Sequence, residues 1–194
     1  TDPPSHTRVR SLVSKAFTPK VVEDLRPRVQ EIADDLLNVV EDAGRMDVVC
    51  DIAFHLPSII IADMLGVPQG DRDKFKAWAN YIVAFHGTGR PETNVVRRSL
   101  KALMEMREWL HGLIDQRRQQ PRNDLLSSLV AAEEHGNMLN EVELVATCIT
   151  LLTAGHETTT GLIGNGVLSL LRYPDQLQKL KDDPTLVPSA VNEF

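Results

Sequence analysis

The feature that most constrains this chain is an apolar stretch at residues 140–172 that contains no proline. Its hydrophobic residues recur on nearly every side of a helix drawn through them, and at about 1.5 Å per residue that helix would be about 50 Å long. A helix that is apolar all round is normally buried within a larger body. We therefore predict a long central buried helix around which the other elements pack.

The rest of the chain also favours helices over strands. Proline and glycine punctuate segments of helical periodicity, and no convincing run alternates polar and apolar residues as a half-buried strand does. A loop is expected at residues 86–92. The pattern predicts a mainly α fold, one domain over residues 1–194, with further helices near residues 3–16, 27–43, 51–65 (kinked near Pro57), 71–85, 93–118, 124–134, 175–182 and 187–194.

Composition excludes several classes of protein. A net charge of −6 and a pI near 5.5 leave no basic footprint for nucleic acid. The two cysteines, Cys50 and Cys148, form neither a disulfide framework nor a C-x-x-C metal motif. No signal peptide is visible, and His156, Glu157 and several glycines interrupt the one long apolar stretch. We therefore predict no membrane segment and a cytoplasmic location.

The centre of the long stretch, AGHETT at residues 154–159, places an acid and hydroxyl groups among apolar residues. An unpaired carboxylate is expensive to bury, so packing alone does not explain Glu157. A zinc protease would need a second histidine four residues after His156, where this chain has Thr160, so that metal site is excluded. His156 points to a different face from the acid and receives no role. Four further histidines show no ligand spacing: His55, His86, His111 and His135.

Small residues and a hydroxyl beside the acid indicate a binding face. Ala154 and Gly155 leave room for a flat ligand to approach the helix backbone. Thr158 can donate its hydroxyl to the carbonyl of residue 154, one turn back, and we expect this bond to open the helix into a bulge. Together with Glu157, the pattern predicts a site that delivers protons to a bound ligand.

These residues resemble the oxygen-activating helix of the cytochrome P-450 family of haem-thiolate monooxygenases, whose motif is Ala/Gly-Gly-x-Asp/Glu-Thr-Thr/Ser. The matching residues are Ala154, Gly155, His156, Glu157, Thr158 and Thr159. The resemblance implies haem b as the cofactor and dioxygen as a co-substrate. It also implies that Glu157 is the acid and Thr158 the alcohol that relay protons to dioxygen as its O–O bond breaks. Ala154 and Gly155 would then lie against the haem.

A second motif, DPPSHTRVR at residues 2–10, is similar to the family's Asp-Pro-Pro-x-His-x-x-x-Arg segment. His6 and Arg10 lie four residues apart and therefore share a helix face. Two adjacent cations on one face need an anion, which the resemblance identifies as the haem propionates. The alternative is a solvated basic stretch that also includes Arg8 and Lys15.

The last residues, SAVNEF, resemble the start of the family's Glu-x-x-Arg helix, where Glu193 would pair with an arginine three residues later. The family's iron ligand is a cysteine in a glycine-rich loop after that helix. Neither Cys50 nor Cys148 lies in such a loop, so we expect the ligand beyond Phe194. The chain thus resembles the central portion of a soluble, bacterial-type enzyme, from the propionate-binding helix to the Glu-x-x-Arg helix. We expect these 194 residues alone to be inactive.

The first functional hypothesis is therefore a monooxygenase that inserts one oxygen atom from dioxygen into an apolar small molecule. Its electrons would come from a ferredoxin or flavodoxin-type donor. The second hypothesis is a non-catalytic, all-helical module that binds a small apolar ligand, and the third is a helical regulator, although no basic helix-turn-helix is present. The substrate pocket is expected near residues 75–100 and 149–153, lined by Phe75, Trp78, Phe85, Thr150 and Thr153.

Overall fold

The computed structural model describes residues 2–86, 92–133 and 139–194. In that part of the chain every regular element is a helix, which confirms the mainly α fold. Most of the predicted loop at 86–92, the side chain of His86, and His135 lie outside the described residues. The α-helices are α1 (Ser5–Ala16), α2 (Pro19–Asp24), α3 (Arg26–Glu41), α4 (His55–Met64), α5 (Arg72–His86), α6 (Thr93–Gln119), α7 (Leu125–Glu133), α8 (Glu141–Arg172), α9 (Pro174–Asp182) and α10 (Val187–Glu193). A π-helix spans Val48–Ala53, and 3₁₀ turns span Gln69–Asp71 and Pro184–Leu186.

Local sequence sets the ends of several helices. The Asn140 side chain caps α8 by accepting from the backbone N–H of Glu143 at 3.0 Å, and the Glu143 carboxylate accepts from the N–H of Asn140 at 3.0 Å. This reciprocal capping box satisfies N–H groups that the start of a helix leaves unpaired. α3 ends at Glu41, and Gly44 follows with a φ of 60°, a conformation that glycine adopts without a steric penalty.

The prediction of one helix over residues 51–65 is wrong at its start. The chain forms the π-helix at Val48–Ala53 and then α4, so the change of geometry falls before Pro57 rather than at it. Pro57 lies in the first turn of α4, where its missing N–H removes no hydrogen bond within α4 itself. The short helix α2 is an additional element that the pattern did not predict.

The long helix is confirmed, and its buried residues lie along one side of it. Within the described chain α8 contacts α4, α5, α6, α7, α9 and the π-helix. The other sides of α8 are open among the described residues, with Val142 71% exposed and Leu171 65% exposed. Burial of α8 in this part of the chain is therefore confined to one side. Four of its seven buried residues form a row with a four-residue repeat: Leu144, Cys148, Leu152 and His156.

Three aromatic side chains form a cluster where α5 packs against α6. Trp109 packs at a tilt against Phe75 and Trp78, with ring centroids 5.9 Å apart in each pair. Phe75 is 1% exposed and Trp78 is 4% exposed, and the indole N–H of Trp78 donates to Glu105 at 2.8 Å. The prediction that Phe75 and Trp78 line a substrate pocket is therefore wrong, because both residues fill the core between these two helices.

A buried ion pair joins the end of α6 to the start of α7. Arg117 is fully buried and donates from Nε to Asp124 Oδ2 at 2.7 Å and from Nη2 to the carbonyl of Gly66 at 2.7 Å. Asp124 also accepts from the backbone N–H of Ser127 at 2.8 Å. Gly66 has a φ of 67°, and a Cβ added there would lie 2.7 Å from Asp124 Cγ. Backbone conformation and the nearby ion pair thus both require glycine at this turn.

Candidate active site on the long helix

The motif residues are distributed around α8 rather than along one face. Each residue of an α-helix advances by about 100°, so Ala154, Glu157 and Thr158 share one side, which we call the outward face. His156 points to roughly the opposite side. The three residues of the outward face are exposed in the described chain, whereas His156 is buried. The structure thus brings together three of the predicted site residues.

Thr158 makes the hydrogen bond that its position predicted. Its Oγ1 donates to the carbonyl of Ala154 at 2.6 Å. The expected bulge does not form, because α8 is a continuous α-helix from Glu141 to Arg172. A carbonyl oxygen has two lone pairs and can accept a hydroxyl in addition to its backbone donor. With its proton directed at Ala154, the Thr158 oxygen keeps its own lone pairs as acceptors.

Glu157 is exposed in the described chain, contrary to the expectation of a buried carboxylate. An exposed carboxylate avoids the desolvation cost that made this position puzzling, and it can exchange protons with water. The outward face therefore offers an acid, a hydroxyl and a small side chain to any ligand that lies against it.

Gly155 lies where α8 packs against α4. A Cβ added at Gly155 would lie 2.9 Å from Ile61 Cδ1, which is closer than carbon atoms normally pack. The structure therefore gives Gly155 a packing role against Ile61. The predicted contact of Gly155 with a cofactor stays a prediction.

His156 is the residue that the sequence analysis missed. It is 1% exposed, its Nε2 lies 2.9 Å from the carbonyl oxygen of Phe54, and its ring meets the Phe54 ring edge-on with centroids 4.7 Å apart. Burial lowers the pKa of His156. A carbonyl can only accept, so Nε2 carries the proton of a neutral imidazole. The four-residue spacing from Leu144 to His156 is the signal that could have identified it as a buried residue.

His6 and Arg10 are exposed on α1, whereas Arg8 faces the other way and pairs with Glu143 at the start of α8. The backbone N–H of Asn140 and the Arg8 guanidinium hold the pKa of Glu143 below its usual value. Among the described residues, neither His6 nor Arg10 takes part in an ion pair. The Arg8–Glu143 pair thus fixes α1 against α8 and leaves the other two side chains on the opposite face of α1.

Neither cysteine lies in an environment that favours a thiolate in the absence of a metal. Burial raises the pKa of Cys148 to about 12. Cys50 is exposed, and the negative charge of Asp47 is the main cause that raises its pKa. A bound metal itself deprotonates a coordinating thiol, so these shifts alone do not assign the iron ligand. That neither cysteine is the iron ligand stays a prediction from the motif.

Glu193 ends α10 and is exposed beside a cleft of about 320 Å³ formed by the end of α8 with α9 and α10. Its pairing with an arginine stays a prediction. Several large apolar side chains are also exposed in this region: Leu162, Leu168, Leu171, Tyr173, Leu186, Val187, Val191 and Phe194.

Other kinds of site find no support in the described part of the chain. No three histidine, cysteine, aspartate or glutamate side chains converge there as a metal site. His111 is half-buried and pairs with Glu141 at 2.5 Å, which explains it without a ligand. None of the described helices combines the length and hydrophobicity needed to cross a bilayer.

Comparison with known proteins identifies relatives along the whole chain. The family model for cytochrome P-450 matches residues 1–187. The cytochrome P-450 CYP107DY1 of Priestia megaterium is 44% identical over 193 residues, which is 100% of this chain and 46% of that protein. A vitamin D(3) 25-hydroxylase of Pseudonocardia autotrophica is 43% identical over 194 residues, again 100% of this chain and 46% of the relative. The chain therefore spans about half the length of the curated relatives it matches.

Solved structures agree with this result. CYP109E1 from Bacillus megaterium, in complex with testosterone, has a TM-score of 0.91 at 36% identity. The match covers 100% of this chain and 51% of the CYP109E1 chain. The myxobacterial cytochrome P-450 CYP267B1, in complex with myristic acid, has a TM-score of 0.86 at 43% identity, with 100% and 47% covered. A family match over residues 1–187 and these relatives lead to one conclusion. This chain belongs to the cytochrome P-450 family.

Proposed function

We propose that the protein to which this chain belongs is a haem-thiolate monooxygenase, an oxidoreductase that inserts one oxygen atom from dioxygen into an apolar small molecule. The observation that carries the proposal is the outward face of α8, where Glu157 and Thr158 stand exposed beside Ala154 in a chain of the cytochrome P-450 family. In this proposal residues 1–194 are one domain segment, from the propionate-binding helix to the start of the Glu-x-x-Arg helix that contains Glu193.

The described residues fit two sides of a haem. His6, when protonated, and Arg10 present cationic donors one turn apart, which suits a pair of carboxylates such as the propionates. Ala154 is small and exposed, which suits the close approach of a flat ring, and Gly155 would support that ring through the helix backbone. Neither Cys50 nor Cys148 lies in a glycine-rich loop of the kind that holds the family's iron ligand, so in this proposal the thiolate comes from residues beyond Phe194. When bound, haem b supplies the redox chemistry that activates dioxygen.

Two residues of the outward face would handle protons. Glu157 is exposed in the described chain, and in this proposal its carboxyl group takes up protons from water. The Thr158 oxygen accepts a proton from a neighbour and, by rotation of its hydroxyl away from the Ala154 carbonyl 2.6 Å away, passes one on. These two proton transfers carry protons from water to a ligand on the outward face, which is general acid catalysis.

The substrate class is inferred from the relatives. One relative is named a vitamin D(3) 25-hydroxylase, and two solved structures hold testosterone and myristic acid. These molecules share a large apolar body, so testosterone and myristic acid are suitable probes for this protein. A ferredoxin or flavodoxin-type electron donor and a cytoplasmic location complete the proposal.

The experiment that tests the proposal uses the complete protein. Its reduced form with CO should give a thiolate-type difference spectrum. With an electron donor of either type it should consume dioxygen and hydroxylate testosterone or myristic acid. A protein that binds one of these probes without ever reducing dioxygen would be a non-catalytic binding module, which would contradict the proposal.

A further inference from the structure

We propose that His156, assisted by Thr160, is a positioning residue that fixes the rotation of α8 about its own axis. The two side chains bind consecutive carbonyls at the end of the π-helix, those of Phe54 and Ala53. This inference rests on the proposed function, since what it positions is the outward face with Glu157 and Thr158.

The Ala53 carbonyl lacks its ordinary helical donor. In an α-helix it would accept from the N–H of residue 57, but that residue is Pro57, which has none. The Thr160 Oγ1 lies 3.0 Å from the Ala53 carbonyl oxygen and 2.9 Å from the His156 carbonyl oxygen. Its one hydroxyl proton is therefore shared between these two acceptors. Ala53 is fully buried, and a buried carbonyl without a donor is costly. The Thr160 hydroxyl thus replaces a donor that the backbone does not provide.

The neighbouring carbonyl of Phe54 is bound by His156 in a geometry that fixes the imidazole from two directions. Nε2 donates to the Phe54 oxygen at 2.9 Å, and the edge of the same residue's ring packs on the imidazole at an interplanar angle of 86°. The other nitrogen, Nδ1, is buried without a hydrogen-bond partner among the described residues. A neutral imidazole with its proton on Nε2 satisfies all three observations, because Nδ1 is then a bare acceptor rather than a buried N–H.

The arrangement couples the buried and exposed sides of α8. His156 and Thr160 are one turn apart and share a face, while Thr158 lies two residues from each and points to nearly the opposite side. A helix with side chains has a radius of about 5–6 Å, so a rotation of about 10° moves a side chain by about 1 Å. A misplacement of about 1 Å can cost about 10²-fold in rate. By binding two carbonyls on the buried side of α8, His156 and Thr160 therefore set the orientation of the outward face.

The competing explanation is that His156 merely fills the core. Two substitutions separate packing from hydrogen bonding. His156→Phe keeps a planar ring against Phe54 but removes the donor, whereas His156→Gln loses the ring and retains an amide N–H near the position of Nε2. Thr160→Val and Thr160→Ser form a second pair that removes or keeps the hydroxyl with little change in volume.

The test uses the complete protein and measures haem content, the coupling of reductant to product with testosterone or myristic acid, and amide hydrogen exchange over residues 48–56. We expect His156→Phe to keep haem content and KM while coupling falls about tenfold, because the geometry is lost and not the binding. Exchange over residues 48–56 should become faster. His156→Gln should restore both coupling and protection, and the Thr160 pair should behave in the same way with smaller changes.

Failures of the two proposals are distinguishable. A wild-type protein without a thiolate-type spectrum or dioxygen consumption would overturn the proposed function. Hydrogen exchange alone would then test whether His156 and Thr160 fix the rotation of α8. Faster exchange in His156→Phe than in His156→Gln supports it. Equal exchange in the two variants, or wild-type coupling in a folded His156→Phe, would overturn it. If His156→Phe does not fold, the comparison of Thr160→Val with Thr160→Ser decides by the same criteria.

Discussion

Arg117 donates to the carbonyl of Gly66 across 51 residues of sequence, with Nη2 and the oxygen 2.7 Å apart and the guanidinium fully buried. Asp124 supplies the opposite charge at 2.7 Å. A buried ion pair adds little net stability, but it becomes expensive when one partner is removed or displaced. The turn at Gly66 is therefore a position where a single added methyl group affects both the backbone and the ion pair.

Gly66→Ala should lower the free energy of unfolding by about 3 kcal/mol or more, because it combines left-handed backbone strain with displacement of Asp124. The matched control is Gly44→Ala, where φ is 60° and nothing lies within 4 Å of the added Cβ. There we expect the backbone cost alone, about 1 kcal/mol. Urea denaturation of the complete protein measures both losses, and equal losses would show that the ion pair tolerates the methyl group.

Thr158→Ala in the complete protein should leave folding and haem content nearly intact, because the hydrogen bond that its hydroxyl makes among the described residues is to the Ala154 carbonyl, one turn back in the same helix. Electrons should drain to hydrogen peroxide instead of product. The ratio of peroxide to product per reductant consumed measures this. Thr158→Ser is the control, since it keeps the hydroxyl and should stay coupled. Unchanged coupling in Thr158→Ala would remove this residue from the proton relay.

Glu157→Gln should slow turnover by about 10²-fold without loss of haem, because the amide matches the carboxylate in shape but cannot carry a proton between water and ligand. Because the amide keeps the size of the carboxylate and Glu157 is exposed in the described chain, we expect little change in the free energy of unfolding. Steady-state dioxygen consumption gives the turnover, and denaturation gives the stability. A variant that turns over like the wild type would exclude Glu157 as the acid.

The double substitution His6→Ala with Arg10→Ala should weaken haem affinity by about 10–100-fold, since each side chain would lose a charge-assisted hydrogen bond. Titration of the apoprotein with haem measures the affinity. The control is Lys15→Ala with Lys20→Ala, which removes two positive charges nearby on exposed side chains. If the control lost as much affinity as the test variant, the effect would be one of net charge rather than of specific contacts.

Stability should fall in mildly acidic solution because burial lowers the pKa of both His55 and His156. Unfolded histidine titrates near about 6.5, so below that pH the unfolded state binds more protons than the folded state. The free energy of unfolding should then fall by up to about 1.4 kcal/mol per pH unit for each histidine, until the pH passes below the folded pKa values. His156→Gln should reduce this slope in urea denaturation series. A slope identical to that of the wild type would contradict the role of burial.

Contacts within one helix could be predicted from the sequence, whereas contacts between distant segments could not. The hydrogen bond from Thr158 to Ala154 could be predicted because both residues lie on one helix, four positions apart. The contact of His156 with Phe54 could not, because it depends on which side of α8 the π-helix packs against, and 102 residues separate the partners. The family motif leaves the position of His156 unspecified, so the resemblance gave no information about it either.

Aromatic residues show the same limit. Phe75 and Trp78 have the composition expected of an apolar pocket, but in the structure Trp109 packs against both and they belong to the core. The same helical periodicity describes a side chain that faces a ligand and one that faces a neighbouring helix. The burial of Arg117 could not be predicted from the sequence either, since its partners Gly66 and Asp124 come from two different turns.

The hydrogen bonds at the end of the π-helix also have a consequence for the order of events during synthesis. The carbonyls of Ala53 and Phe54 take donors that come 107 and 102 residues later in the chain. At about 5–20 residues per second, a ribosome needs about 5–20 s to make that intervening length. The π-helix segment therefore leaves the ribosome well before His156 and Thr160 are made. Until α8 emerges, the carbonyls of Ala53 and Phe54 lack these two donors.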